Sequence, residues 1–225
     1  MQQQLMGRMV QMGLGAELIY AFIIIISSLM IYFGTKELYE LTKYKGIKYF
    51  REAFLLFAIA FFFRSFIKSI MILFGLSRPH DFQLLGIVSL FIFLYTITLA
   101  MFYLLYSIMW KKWRKSPKII YLFHILAILI AILSLITGNI TIILLVNILL
   151  LILILSITYI AHKNPRKKGQ SIHLIYVLLS LFLILNVIDI LIPNFLQLYQ
   201  LMIYLLSIGI FLLIFYKVLK KSGSD

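Results

Sequence analysis

Four ionisable side chains stand inside long apolar stretches of this chain: Glu17, Arg64, Lys68 and Asp189. A charge in hydrocarbon is costly. Where one persists it faces a bundle interior or a water-filled cavity and pairs with an opposite charge. Arg64 and Lys68 are four residues apart, and Asn186 and Asp189 are three apart, so on helices each pair shares one face. Gln197, Gln200, Tyr204 and Ser207 follow at spacings of 3, 4 and 3, which makes one polar stripe on a helix. Tyr20 and Ser89 fall where they can line the same region.

The chemistry these types offer is electrostatic. Arg64 and Lys68 supply positive charge, and Asp189 and Glu17 partly neutralise it. The candidate ligand-binding set is Arg64, Lys68, Asn186, Asp189, Glu17, Gln200 and Tyr204. Two readings stand side by side. One is a polar pocket in one half of a helix bundle, open or gated to one side. The other is an internal salt-bridge and hydrogen-bond network that fixes helix packing.

Catalytic and metal chemistry have little to work with. Histidines 80, 124, 162 and 173 form no H-x-x-x-H or H-E-x-x-H pair, and seven acidic residues offer no carboxylate cluster, so no metal is expected. There is no Gly-rich phosphate loop and no G-x-S-x-G elbow. No cofactor and no enzymatic activity are expected. With no cysteine, disulfides and thiolate ligands are excluded.

The elements that must carry these residues follow from composition. The 225-residue chain is 64% hydrophobic and 12% charged, with a mean hydropathy of +1.08. Soluble domains average about 45–50% apolar and about 25% charged, so one aqueous core cannot absorb this excess. The pattern predicts an all-α polytopic membrane protein with spans at about 13–34, 49–75, 84–110, 118–137, 140–162, 171–192 and 195–217. Turn signals separate them: Ser77 to Asp81, Gly138-Asn139, His162 to Pro165 and Pro193-Asn194. Met1 to Gly15 lacks a cleavage signature and reads as a short external tail. Residues 35–48 read as a helix lying in the inner interface, or as an extension of the first span.

Charge orients the spans. Of 21 basic residues, 17 fall in the connections after spans 1, 3 and 5 and after span 7; only Arg8 and Arg78 lie on the other side, and Arg64 and Lys68 lie inside span 2. That split places the N-terminus outside and the C-terminus in the cytoplasm, with the Arg64 region in the outer half. Trp110 and Trp113 sit as anchors at the inner end of span 3. The net charge of +14 is then a membrane feature, matched to anionic lipid and not to nucleic acid. Arg51 and Glu52, at the inner end of span 2, are expected to pair locally with loop lysines.

Level and repetition add detail. Arg64 lies 18 residues beyond Gly46, and Asn186 lies 17 beyond Gly169. Both therefore rise roughly 25–27 Å from those glycines. Spans 2 and 6 each end in a P-x-x-x-Q turn, Pro79 to Gln83 and Pro193 to Gln197, which hints at a parallel repeat of spans 1–3 and 5–7 with span 4 as connector. On span 4, Ala127, Ala131, Ser134 and Gly138 form a small-residue seam, expected to pack closely, with another subunit or membrane partner as one candidate occupant.

The topology resembles that of opsins and other heptahelical receptors, and that of the 3+1+3 SWEET and PQ-loop sugar transporters. The chain departs from both at the residues that matter. The lysines of the last span begin only at Lys217, at its inner end, which leaves no retinal attachment point, and no Pro-Gln dipeptide occurs. The expected function is a sensor- or receptor-like protein of the plasma membrane with a polar pocket in its outer half. A small-solute transporter or channel, or a structural or assembly subunit, is the alternative.

Overall fold

The computed structural model of the protein describes residues 2–73, 83–113, 118–137, 140–163, 170–191 and 197–222; side chains are described for 15–66, 84–113, 118–137, 144–160, 174–189, 191 and 198–220. These residues form eight helices and no strand: α1 (Gln2–Gly34), α2 (Lys36–Thr42), α3 (Lys45–Leu73), α4 (Gln83–Trp113), α5 (Lys118–Thr137), α6 (Ile140–Lys163), α7 (Gln170–Leu191) and α8 (Gln197–Ser222). Four are long and apolar enough to cross a membrane, at Gly15–Thr42, Leu84–Trp113, Lys118–Thr137 and Leu198–Lys220. The described parts of α6 and α7 add shorter apolar runs, Leu144–Ile160 and Leu174–Asp189. Helix α3 is 29 residues long but carries Lys45, Lys48, Arg51, Glu52, Arg64 and Lys68 along its length.

Two boundaries differ from the sequence reading. The stretch before Gly15, expected to be a short tail, is helical from Gln2 as part of α1. Residues 35–48 hold the short helix α2, set off from α1 at Thr35 (φ −93°, ψ 5°), and the first residues of α3. Thr35 N–H still donates to Ile31 O (3.1 Å), and its hydroxyl donates to the same carbonyl (2.7 Å), so α2 is a kinked continuation of α1. Lys43, left-handed at φ 49°, ends it.

Six helices close a ring. Helix α1 packs on α3, α3 on α4, α4 on α6, α6 on α7, α7 on α8, and α8 back on α1. Helix α5 stands outside the ring, along α4, with a slighter contact to α6. The ring centre is filled by side chains that are fully buried, among them Phe54, Phe57, Phe61, Phe182 and Phe211. Successive rings meet edge-on or tilted, Phe61 with Phe182 at 6.0 Å and Phe182 with Phe211 at 5.2 Å between centroids. That is the geometry aromatic quadrupoles favour.

Contacts near the two ends fix the helix directions. Toward one end, Arg51 Nε donates to Tyr32 O (3.0 Å), Gly34 faces Leu219, and Ser107 Oγ meets Tyr176 Oη (2.9 Å). This is also the end that carries the clustered lysines. Glu17, Tyr20, Arg64, Asn186 and Tyr204 gather toward the other.

Arg51 corrects an expectation. Glu52 does pair with Lys48 (3.7 Å), but Arg51 is buried. Its guanidinium caps a carbonyl in the last turn of α1 and lies over the Tyr32 and Tyr39 rings at 4.7 and 5.8 Å. A helix C-terminus presents unpaired carbonyls and partial negative charge, which a cation satisfies.

The small-residue seam has packing partners within the chain. Ala127, Ala131 and Ser134 are buried within the chain, on the face of α5 that packs against α4 around Phe102 and Phe123. The seam therefore makes a close approach within the chain itself. Gly138 lies outside the described residues.

One glycine is fixed by close approach. A Cβ on Gly46 would lie 2.7 Å from Ser107 O and 3.1 Å from Trp110 Cδ1, where α3 crosses α4. A Cβ on Gly86 would meet nothing within 4 Å. Gly46→Ala is therefore expected to lower the melting temperature in detergent. Gly86→Ala, also inside a helix, is expected to leave it unchanged or raise stability by about 0.5–1 kcal/mol. Equal effects at the two positions would count against this packing.

Candidate functional site

Arg64 lies beyond the middle of α3 on the ring-facing side, and its guanidinium reaches two other helices. Nε lies 3.7 Å from Glu17 Oε1 on α1. Nη2 lies 3.5 Å from Asp189 Oδ2, and Nη1 donates to Asn186 Oδ1 at 3.5 Å, both on α7. Asn186 in turn donates from Nδ2 to Phe182 O (2.9 Å), which fixes its carbonyl toward Arg64. One cation thus ties α1, α3 and α7 together. Side chains of Glu17 and Asp189 are about nine-tenths buried, whereas Arg64 keeps 25% of its surface exposed.

Aromatic rings surround the cluster. Arg64 Cζ lies 5.9 Å from the Phe61 centroid and 5.8 Å from Phe93. Tyr20 is buried, stacked on Tyr204 at 4.9 Å and edge-on to Phe61 at 5.8 Å. Its hydroxyl lies within side-chain hydrogen-bonding range of Asn186 and Ser207. Tyr204 stands in the field of Asp189, Glu17 and Arg64. Below this layer lie Phe57, Phe182 and Phe211, all buried. The arrangement can hold a planar anionic group against the guanidinium, on a dry aromatic floor.

Most of the sequence-derived set is brought together. Glu17, Arg64, Asn186, Asp189 and Tyr204 converge, and Asn186 and Arg64 do share a level. Gln200 does not join them: it is half-buried on α8, and among the described residues no contact links it to Arg64. Lys68 is on α3, but its side chain lies outside the described residues, as does that of Gln197. Ser89 is spent on the Phe63 carbonyl. Tyr20, which its position in the sequence marks only as a possible liner, is central to the cluster.

A second polar contact has no counterpart in the sequence pattern. His124 on α5 is held between two tyrosines of α4, Nδ1 to Tyr95 Oη (2.7 Å) and Nε2 to Tyr103 Oη (3.1 Å). Both ring nitrogens are occupied, which anchors the peripheral helix to α4. No group of histidines and acids that could hold a metal occurs among the described residues.

No protein-family model and no solved structure matches the chain. It is similar to a protein of Archaeoglobus fulgidus described only as uncharacterised, 28% identical over 216 residues, which cover 92% of this chain and 93% of the relative. The likeness therefore runs the length of the helical bundle and carries no activity with it.

Proposed function

We propose that the chain is a multi-pass plasma-membrane protein of seven spans, α1 and α3 to α8, with its N-terminus outside and its C-terminus in the cytoplasm. It works as a non-enzymatic sensor or receptor that binds a small polar ligand at Arg64. The observation that carries this reading is that one partly exposed guanidinium joins three helices above a closed aromatic floor. A ligand carboxylate would compete with Glu17 and Asp189 for that guanidinium, since Arg pairs with planar anions through its fixed fork of donors. Binding would then alter the ties among α1, α3 and α7, which run to the basic end. The same floor speaks against a standing polar path, so an open channel is disfavoured. At the basic end, Lys36, Lys43, Lys45, Lys111 and Lys112 are exposed for anionic lipid or a cytoplasmic partner.

Orientation is tested by single cysteines in this cysteine-free chain. A membrane-impermeant maleimide is expected to label Gln3→Cys on intact cells and to label Glu37→Cys and Ser224→Cys only after lysis. The reverse pattern would overturn the orientation. Binding is tested by thermal shift of the purified protein with a panel of amino acids and small mono- and dicarboxylates. A ligand at 100 times its Kd stabilises by about 2.7 kcal/mol, and Arg64→Gln is expected to abolish that gain. A panel that shifts neither protein would mark the cluster as a packing network.

A further inference from the structure

We infer that the ring is built of two like halves, α1/α3/α4 (with α5 attached) and α6/α7/α8, and that Arg64 is the latch between them. This deepens the reading of Arg64 as a gated site and rests on it for its functional meaning.

The packing permits the division. Exchanging α1 with α6, α3 with α7 and α4 with α8 maps every ring contact onto another: α1·α3 onto α6·α7, α3·α4 onto α7·α8, and α1·α8 onto α6·α4. Burial supports it residue by residue. The buried positions of α3 between Ala53 and Phe61 recur on α7 between Ile175 and Leu183, each displaced by the same 122 residues that separate Arg64 from Asn186. No buried position in either stretch lacks its counterpart. The hydrogen bond from Arg64 to Asn186 therefore joins equivalent positions across the axis between the halves.

The contacts across that axis are few in kind. On the Arg64 side, among the described residues, they include the Arg64 bonds to Asn186 and Asp189, the Tyr20 hydroxyl beside Asn186 and Ser207, and the flat Tyr20–Tyr204 stack. In the middle, Phe54, Phe57 and Phe61 touch Phe182 or Phe211. At the basic end, Ser107 meets Tyr176. Ring-on-ring contacts slide at low cost, while hydrogen bonds are made or broken, so the polar contacts at the two ends are the discrete latches, with Arg64 the charged one. The two seams are unequal. The α1/α8 seam is broad and tight at Gly34, where a Cβ would lie 2.6 Å from Leu219 Cδ2. The α4/α6 seam is slight, with α5 beside it held to α4 through His124. The halves therefore part along α4/α6 and hinge along α1/α8, a domain closure of the hinge type. Parallel repeats about an axis along the membrane normal place binding sites at the repeat interface, which is where Arg64 lies.

The test uses spin-label pairs in the cysteine-free chain, reconstituted in nanodiscs and measured by pulsed electron resonance without ligand. Leu84→Cys with Leu145→Cys spans the α4/α6 seam; Ile19→Cys with Leu84→Cys lies within one half. All three positions are exposed. With Arg64 intact, both pairs are expected to give single narrow distributions. Arg64→Gln, and independently the isosteric Asp189→Asn, are expected to lengthen or split the 84–145 distribution and leave the 19–84 one unchanged. An unchanged 84–145 distance in monodisperse Asp189→Asn protein, or an equal change in both pairs, would overturn the two-half latch. Because no ligand is present, that failure is separate from a failure of Arg64 to bind one.

Discussion

Arg64→Leu is expected to cost about 3–5 kcal/mol, the range for removing one partner of a buried ion pair. The loss does not come from the strength of the bonds themselves, which at 3.5–3.7 Å are long. It comes from what is left. Without the guanidinium, the side chains of Glu17 and Asp189 remain about nine-tenths buried and lose a cation that both face. A buried carboxylate that loses its cation is far more costly than one paired at long range. A cycle separates this from simple loss of packing. Arg64→Gln alone takes the cation from two acids, whereas Arg64→Gln with Asp189→Asn takes it from one. The double variant should be less damaged than the sum of the singles, with a coupling on the order of 1–3 kcal/mol. Unfolding in mixed micelles, followed by tryptophan fluorescence, measures all four proteins. Strict additivity would show that Arg64 and Asp189 do not share a site.

Much of that cluster is legible in the sequence, because charge inside an apolar run is conspicuous and helical spacing fixes its face. The shared level of Arg64 and Asn186 follows from counting residues out from two glycines. Direction is not legible in the same way. A charge count assigns Arg51 to the basic end, and it cannot tell that this one guanidinium turns inward onto the Tyr32 carbonyl while its neighbour Glu52 pairs with Lys48. Small residues at Ala127 and Ala131 announce a close approach without saying to which helix. Tyr20 looks like any aromatic in an apolar run; only the fold sets its hydroxyl beside Asn186 and Ser207. Gln200 belongs to the same stripe as Tyr204 but lies a turn nearer the start of α8, and the spacing alone does not say which of the two reaches the cluster. His124 needs partners on another helix, Tyr95 and Tyr103, which are eight residues apart and approach the ring from either side. No local pattern encodes that.

Phe211→Ala is expected to cost on the order of 2 kcal/mol and to change what the ring can pass. Phe211 is fully buried and touches Phe54, Phe57 and Phe182, so its ring is the common member of the floor beneath Arg64. In a bilayer the transfer part of a core substitution is muted, because lipid tails are as apolar as the core. The cavity part remains: at about 24 cal/mol per Å³, a void on the order of 100 Å³ accounts for the figure. An apolar void of that size stays dry when nothing polar lines it. This one would open upward toward Tyr20, Asn186 and Ser207, which can hold water. The variant should therefore join the Arg64 site to the deeper bundle. A single cysteine at Ser107, in the basic half, is expected to react with a membrane-impermeant methanethiosulfonate added from the Arg64 side in Phe211→Ala protein and not in the parent. Phe211→Leu refills most of the volume and should restore both stability and protection. If Phe211→Ala melts like the parent and leaves Ser107→Cys shielded, the Phe211 ring is not the barrier.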